Sequence, residues 1–255
     1  MSTESFSNDI NKVLPTGEDL GGASTGGDLE GAKATFAAIF DMDGTLIDNT
    51  PFHFLAWALL FKEHGLPELS RETYKGEISG IPIANTVRRY FADADEATIA
   101  SIAHQKQMFY QREFLPYLKA ISGLEDFLAE LKNAGVKMAV ATSSDMADVD
   151  FIFDAVPIGQ YFDAIITGDM VQEPKPSPLI FLKAAELLDT PPARCVVFED
   201  SAAGLQAGNS AGMKVVGITT SHPAEKINQV ASLAINNYAG IHLHMLAALF
   251  DHEHE

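Results

Sequence analysis

The sequence predicts an α/β fold: a doubly wound parallel sheet flanked by helices, with a helical domain inserted near its start. Three observations predict it. Short apolar runs recur at 37–40, 136–141, 164–167, 195–198 and 215–218, and from the second onward they alternate with helical patterns, as strand–helix–strand units require. The long interval between the first two runs has helical spacing and no convincing strand. Several runs end in carboxylate or hydroxyl residues, which is where open parallel sheets bind their ligands.

Size and composition fit that fold. A chain of 255 residues with 47% apolar content builds one large domain, or a core with a smaller insert. The net charge of -18 argues against nonspecific binding to nucleic acid or to an anionic membrane. No apolar stretch reaches membrane-spanning length, and the N-terminus lacks the basic start and apolar middle of a secretory signal. The lone Cys195 cannot form an intramolecular disulfide and reads as a small core residue, so a reducing cytoplasm is expected. Residues 1–34, rich in Gly, Ser, Thr and acidic groups, are expected to be a disordered extension.

The first run leads into Asp41-Met42-Asp43-Gly44-Thr45-Leu46-Ile47-Asp48, and Gly44 marks where the chain leaves the strand. Residues two apart on a strand point the same way, so Asp41 and Asp43 are expected to converge at its C-terminal end. Two such carboxylates repel unless a cation joins them. Magnesium (Mg2+), a hard ion that takes carboxylate and phosphate oxygens, meets that need. For the isolated triplet, the alternative is a tight turn in which Asp and Gly serve only as turn formers.

Pro51-Phe52-His53-Phe54-Leu55-Ala56-Trp57 opens a helical pattern that Gly65 stops, and helical spacing returns through 83–91 and 99–110. The expected division is a cap over 51–118 inserted into a core of 35–50 and 119–245. Back in the core, the run 136–141 ends in Thr142-Ser143-Ser144, which can face a phosphate or simply cap the next helix. Glu173-Pro174-Lys175-Pro176 fixes a lysine between prolines, suited to neutralising charge on a transferring group, although exposed lysines in such loops are often inert. The run 195–198 ends in Glu199-Asp200-Ser201, an acidic pair able to complete a metal shell with Asp41 or to cap a helix.

Taken in order, these four stretches resemble the signatures of the haloacid dehalogenase superfamily, whose core is Rossmann-like. The resemblance spans residues 36 to about 240. It implies that Asp41 is a phosphorylated nucleophile and Asp43 a general acid and base, that Thr142 and Lys175 hold the phosphoryl oxygens, and that Asp41, Asp200 and the Asp43 carbonyl bind magnesium with Glu199 nearby. Dehalogenating members lack the second Asp, so Asp43 argues for phosphoryl transfer. The pattern is most similar to the β-phosphoglucomutase-like branch, in which His53 would couple cap closure to the general acid, or else be a helix-face histidine at the hinge. Ser143, Ser144 and the cap-loop Gly80 join His53 as expected substrate-binding residues.

A mutase must also grip a second phosphate. The branch places an Arg three residues after a cap-loop Gly, where Gly76 and Gly80 are followed by Ser79 and Ile83; it has a Lys where this chain has Asp145. Lys75, Arg88 or Arg89 would have to substitute. A magnesium-dependent phosphatase acting on a small phosphorylated metabolite such as a sugar phosphate is therefore expected, with a phosphomutase as the second reading and an inactive phosphate-sensing or scaffold module as the third. A monomer is expected. His242, His244 and the acidic, histidine-bearing end of the chain are assigned no function, because His residues two apart on a helix face different ways.

Overall fold

The first apolar run forms β1 (Ala37–Phe40), and the later ones form β2 (Lys137–Ala141), β3 (Ala164–Ile166), β4 (Cys195–Glu199) and β5 (Lys214–Ile218). The computed structural model describes residues 36–79 and 81–251. The expected N-terminal extension, Gly80 and the last residues of the tail lie outside the described residues. A sixth strand, β6 (Leu233–Ile235), was not expected. The sheet order is β3-β2-β1-β4-β5-β6 and every pairing is parallel. Strand order runs outward from β1 in one direction and from β4 in the other, so the sheet reverses between those two strands, the place where such sheets bind ligands.

The helices in chain order are α1 (Thr50–Glu63), α2 (Arg71–Glu77), α3 (Ile83–Tyr90), α4 (Glu96–Phe114), α5 (Leu124–Asn133), α6 (Met146–Ala155), α7 (Leu179–Leu187), α8 (Ala202–Ser210), α9 (Ala224–Ile227) and α10 (Leu243–Ala247). Side chains alternate across the sheet. Ala38 and Phe40 join Met138, Val140, Val196 and Phe198 in an apolar cluster with Leu124 and Phe127 of α5 and Val149 and Ile152 of α6. Ala37 and Ile39 join Ala139, Cys195 and Val197 in a second cluster with Ile180 and Phe181 of α7 and Ala207 of α8. Both faces are thus covered, which is why the strands read as continuous apolar runs. Cys195 is a buried free thiol.

Between β1 and α5 the chain forms α1–α4, with an apolar cluster that includes Trp57, Leu60, Phe61, Tyr74, Val87, Ile99 and Ile102. Pro51 sits in the first turn of α1, where its missing N–H costs nothing, and Gly65 follows the helix at φ 67°. Ser70 and Asp95 cap α2 and α4 by accepting the N–H groups of Thr73 and Thr98, at 2.9 and 2.8 Å. No helix of the described residues is long and apolar enough to cross a membrane. His242 and His244 correct an expectation: their rings stack with centroids 5.8 Å apart. His242 is the extended residue before α10 (φ -136°, ψ 157°), so helical geometry does not separate the two.

Candidate active site

Asp41 follows β1, Glu199 ends β4 and Asp200 follows it. These strands are paired with Phe40 opposite Phe198, so the three carboxylates arrive together at the reversal point of the sheet. An oxygen from each lies within 4.8 Å of the others, and all three residues are buried. Lys175, from the loop between β3 and α7, donates to Asp41 Oδ1 at 2.6 Å, to Glu199 Oε1 at 2.9 Å and to the Ala141 carbonyl at 3.1 Å. Burial alone would lower its pKa, but Asp41 and Glu199 outweigh burial and hold it above the ordinary lysine value.

One ammonium does not neutralise three buried carboxylates. Burial, then the charge of Glu199, pushes the Asp200 carboxyl up to about 7 against the opposing hydrogen bond from Ser221. A set of carboxylate oxygens with surplus negative charge fits a hard divalent cation. The surrounding backbone is shaped around these carboxylates. A Cβ at Gly44 (φ +81°) would stand 2.2 Å from Asp200 Oδ2, and one at Gly204 would stand 1.7 Å from Glu199 Oε1. Glu199 Oε2 also accepts the backbone N–H groups of Asp200 and Ser201, at 2.8 and 2.7 Å, tying the start of α8 to the same carboxylate.

The Asp43 carboxylate is not part of this acidic group. β1 ends at Phe40, and the chain beyond it turns, with Leu46 N–H donating to the Met42 carbonyl at 2.9 Å and Gly44 N–H to the Ile47 carbonyl at 2.7 Å. Strand alternation therefore does not position Asp43 as the sequence suggested; this turn does. It receives Ser144 Oγ at 2.7 Å and the Asn49 side-chain amide, with His53 Nε2 at 3.7 Å. Burial raises the Asp43 pKa, but the neighbouring His53, Ser144 and Asn49 outweigh it and hold the group at about 2.

Thr142 is fully buried just past β2, and its Oγ1 accepts the Ser144 N–H at 3.1 Å. Ser143 is exposed. Gly80 lies outside the described residues. His53 meets Asp43 on one side and the Lys106 ammonium, 3.0 Å from Nδ1, on the other, while its ring stacks on Tyr110 at 4.2 Å. Burial and Lys106 lower its pKa, so the neutral imidazole is favoured. Arg88 and Arg89, considered as phosphate clamps, are instead paired with Glu96 and Glu77 at 2.7 and 2.8 Å on exposed faces of the inserted helices.

Two residues here escaped the sequence reading. Lys106, on α4, is 1% exposed. Asn49, before α1, is fully buried; its amide donates to Asp43 and to Tyr110 Oη at 2.6 Å, and its Oδ1 has no partner. Neither belongs to an adjacent motif, and a lysine in an amphipathic helix ordinarily reads as a solvated one. The only available signal for Asn49 was its place at the junction between the Asp motif and the first inserted helix.

The sheet is doubly wound and carries a lysine-braced acidic crevice at its reversal point. The chain belongs to the haloacid dehalogenase-like hydrolases, whose family profile matches residues 38–218. The phosphorylated carbohydrates phosphatase of Thermotoga maritima is 33% identical over 182 residues, covering 70% of this chain and 82% of that protein. The β-phosphoglucomutase of Bacillus subtilis is 33% identical over 196 residues, covering 73% and 84%. The crystal structure of a family IA, variant 3 hydrolase from Entamoeba histolytica superposes with a TM-score of 0.78 at 27% identity, covering 84% of this chain and 99% of that one.

Proposed function

We propose that this chain is a magnesium-dependent phosphatase that hydrolyses a small phosphorylated carbohydrate through a phosphoaspartate at Asp41. The observation that carries the reading is the division of labour between two aspartates: Asp41 is gripped by Lys175, and Asp43 is held apart from it by Ser144 and Asn49. A binding module has no need of the second. Relatives named as a phosphatase of phosphorylated carbohydrates and as a mutase support the substrate class.

Asp41, Asp200 and the Asp43 carbonyl would hold magnesium, with Glu199 adjacent; when bound, the ion supplies charge that offsets the phosphoryl oxygens. Lys175 and Thr142 bind those oxygens. Asp41 attacks phosphorus and the ester oxygen leaves, taking a proton from Asp43. An ionised Asp43 takes up that proton from solvent as the phosphate dianion arrives, because a like charge beside a carboxylate raises its pKa. Having given it up, Asp43 is the base that takes a proton from water as water attacks the phosphoaspartate. Phosphate is released and Asp41 is regenerated.

A phosphomutase is the second reading, favoured by the 33% identity to a β-phosphoglucomutase and by the buried Lys106. Against it stand the surface pairing of Arg88 and Arg89 and the carboxylate of Asp145 after the hydroxyl triplet. The test is phosphate release from sugar phosphates with magnesium and with chelator, run beside conversion of β-glucose 1-phosphate to glucose 6-phosphate with a bisphosphate primer. Net release supports the phosphatase; isomer conversion without release supports the mutase. A cytoplasmic site of action belongs to the same proposal, supported by a chain that carries a single cysteine where small secreted domains carry several.

A further inference from the structure

Three consecutive hydroxyl residues, Thr219-Thr220-Ser221, follow β5, and no step of the proposed reaction uses them. Gly217 of β5 is paired with Glu199 of β4, so the chain that leaves β5 passes beside Asp200. Each hydroxyl then takes a different target. Thr219 fastens the loop to the end of β6: its N–H donates to the Ile235 carbonyl at 3.0 Å and its Oγ1 to Asn236 Oδ1 at 2.7 Å. Thr220 Oγ1 donates to the Gly44 carbonyl at 2.5 Å, and Ser221 Oγ donates to Asp200 Oδ2.

The last two targets are neighbours. Asp200 Oδ2 is the atom that a Cβ at Gly44 would meet at 2.2 Å, so Ser221 holds one side of that close approach and Thr220 holds the other. The Gly44 carbonyl is one peptide along from the Asp43 carbonyl, and fixing it restricts rotation of the peptide that would face the metal. The other oxygen of Asp200 has Thr45 Oγ1 at 3.5 Å, the outer limit of a hydrogen bond, which leaves Ser221 as the firmer hold on this carboxylate. Thr50 Oγ1, on the first residue of α1, stands 3.5 Å from Ser221 Oγ. An ionised Asp200 only accepts, so the Ser221 proton points to the carboxylate.

We propose that Thr220 and Ser221 are positioning residues for magnesium: from the loop after β5 they hold Asp200 and the turn after β1 in the arrangement the ion requires before it binds. This rests on the metal site of the phosphatase reading and deepens it. Magnesium tolerates little misplacement of its oxygen ligands, and a carboxylate that has to be ordered on binding costs affinity. Both hydroxyls donate to protein oxygens rather than to substrate, so their effect falls on ion binding first.

The experiment measures the magnesium dissociation constant of the full chain without substrate, by calorimetric titration, for wild type, Ser221→Ala, Thr220→Val and Thr220→Ser, with Asp200→Asn as the baseline and thermal unfolding as the check on folding. Ser221→Ala and Thr220→Val should each raise the constant about tenfold or more, the usual effect of removing a hydrogen bond that orients a metal ligand. Thr220→Ser keeps the hydroxyl and should bind magnesium as wild type does. In the two weakened variants the deficit in phosphate release should shrink as magnesium is raised, because mass action refills the site. A merely structural role would lower the unfolding temperature of the magnesium-free protein and leave the constant where it was. An unchanged constant, or tighter binding, in folded Ser221→Ala or Thr220→Val overturns the inference and leaves the phosphatase standing; should one of the two not fold, the other decides. No magnesium binding by wild type defeats the metal site of the phosphatase reading and this inference with it.

Discussion

Lys175 Nζ lies 2.6 Å from Asp41 Oδ1, with the two side chains only 6% and 9% exposed. The lysine also reaches Glu199, so its removal strands two buried carboxylates rather than one. Lys175→Met is expected to destabilise the metal-free protein by about 3–5 kcal/mol and to lower kcat at least about a hundredfold. Added magnesium should recover part of the stability, because the ion supplies the missing positive charge, without recovering turnover. Denaturant titration with and without magnesium, alongside steady-state kinetics, reads both effects.

Asp43 is expected to matter in proportion to how badly the leaving group needs a proton. Asp43→Asn should cut turnover of a sugar phosphate by about 10²–10⁴, and turnover of p-nitrophenyl phosphate much less in its phosphorylation step, since that phenolate departs without help. Single-turnover rates for the two substrates check this. Equal losses would place Asp43 outside proton transfer.

Gly44 leaves no room for a side chain beside Asp200: its φ is +81° and an added Cβ would fall 2.2 Å from Asp200 Oδ2. In wild type, magnesium at about a hundredfold excess over its dissociation constant should stabilise the fold by about 2.7 kcal/mol. Gly44→Ala and Asp200→Asn should each abolish that increment. Thermal unfolding at several magnesium concentrations provides the measurement.

Lys106 is held at about 8, below its ordinary 10.5, chiefly by burial. Between those values the unfolded chain holds a proton that the folded chain has released, so this group's contribution makes stability rise with pH across that window. At pH 7 the lysine is charged in both states and its burial costs about 3 kcal/mol. Lys106→Met should therefore be more stable than wild type at neutral pH, with the gap closing from pH 8 toward 10.5. A constant gap across that range would show that the lysine's desolvation is not the cause.

These groups differ in how far the sequence revealed them. The runs that became β1 to β5 are apolar because both sheet faces are covered, and that burial writes itself plainly into composition. β6 is three half-buried residues at the sheet edge, between Ser232 and Asn236, too short and too mixed to stand out. The spacing of Asp41 and Asp43 was visible, but strand alternation was the wrong reason for their placement; hydrogen bonds of the turn after β1 set it. Lys106 meets His53, and Asn49 meets Tyr110, through contacts of α4 with α1 and the segment before it. Such partners are far apart in sequence and carry no periodicity that announces them.

The central claim is that Asp41 takes the phosphoryl group with the help of a metal held beside it. It is tested most directly by phosphate release from a panel of sugar monophosphates, for wild type and Asp41→Asn, with magnesium and with chelator. The expected result is release that needs magnesium and disappears in Asp41→Asn while the variant remains folded. Release that persists in the variant, or that is indifferent to the chelator, would contradict the account.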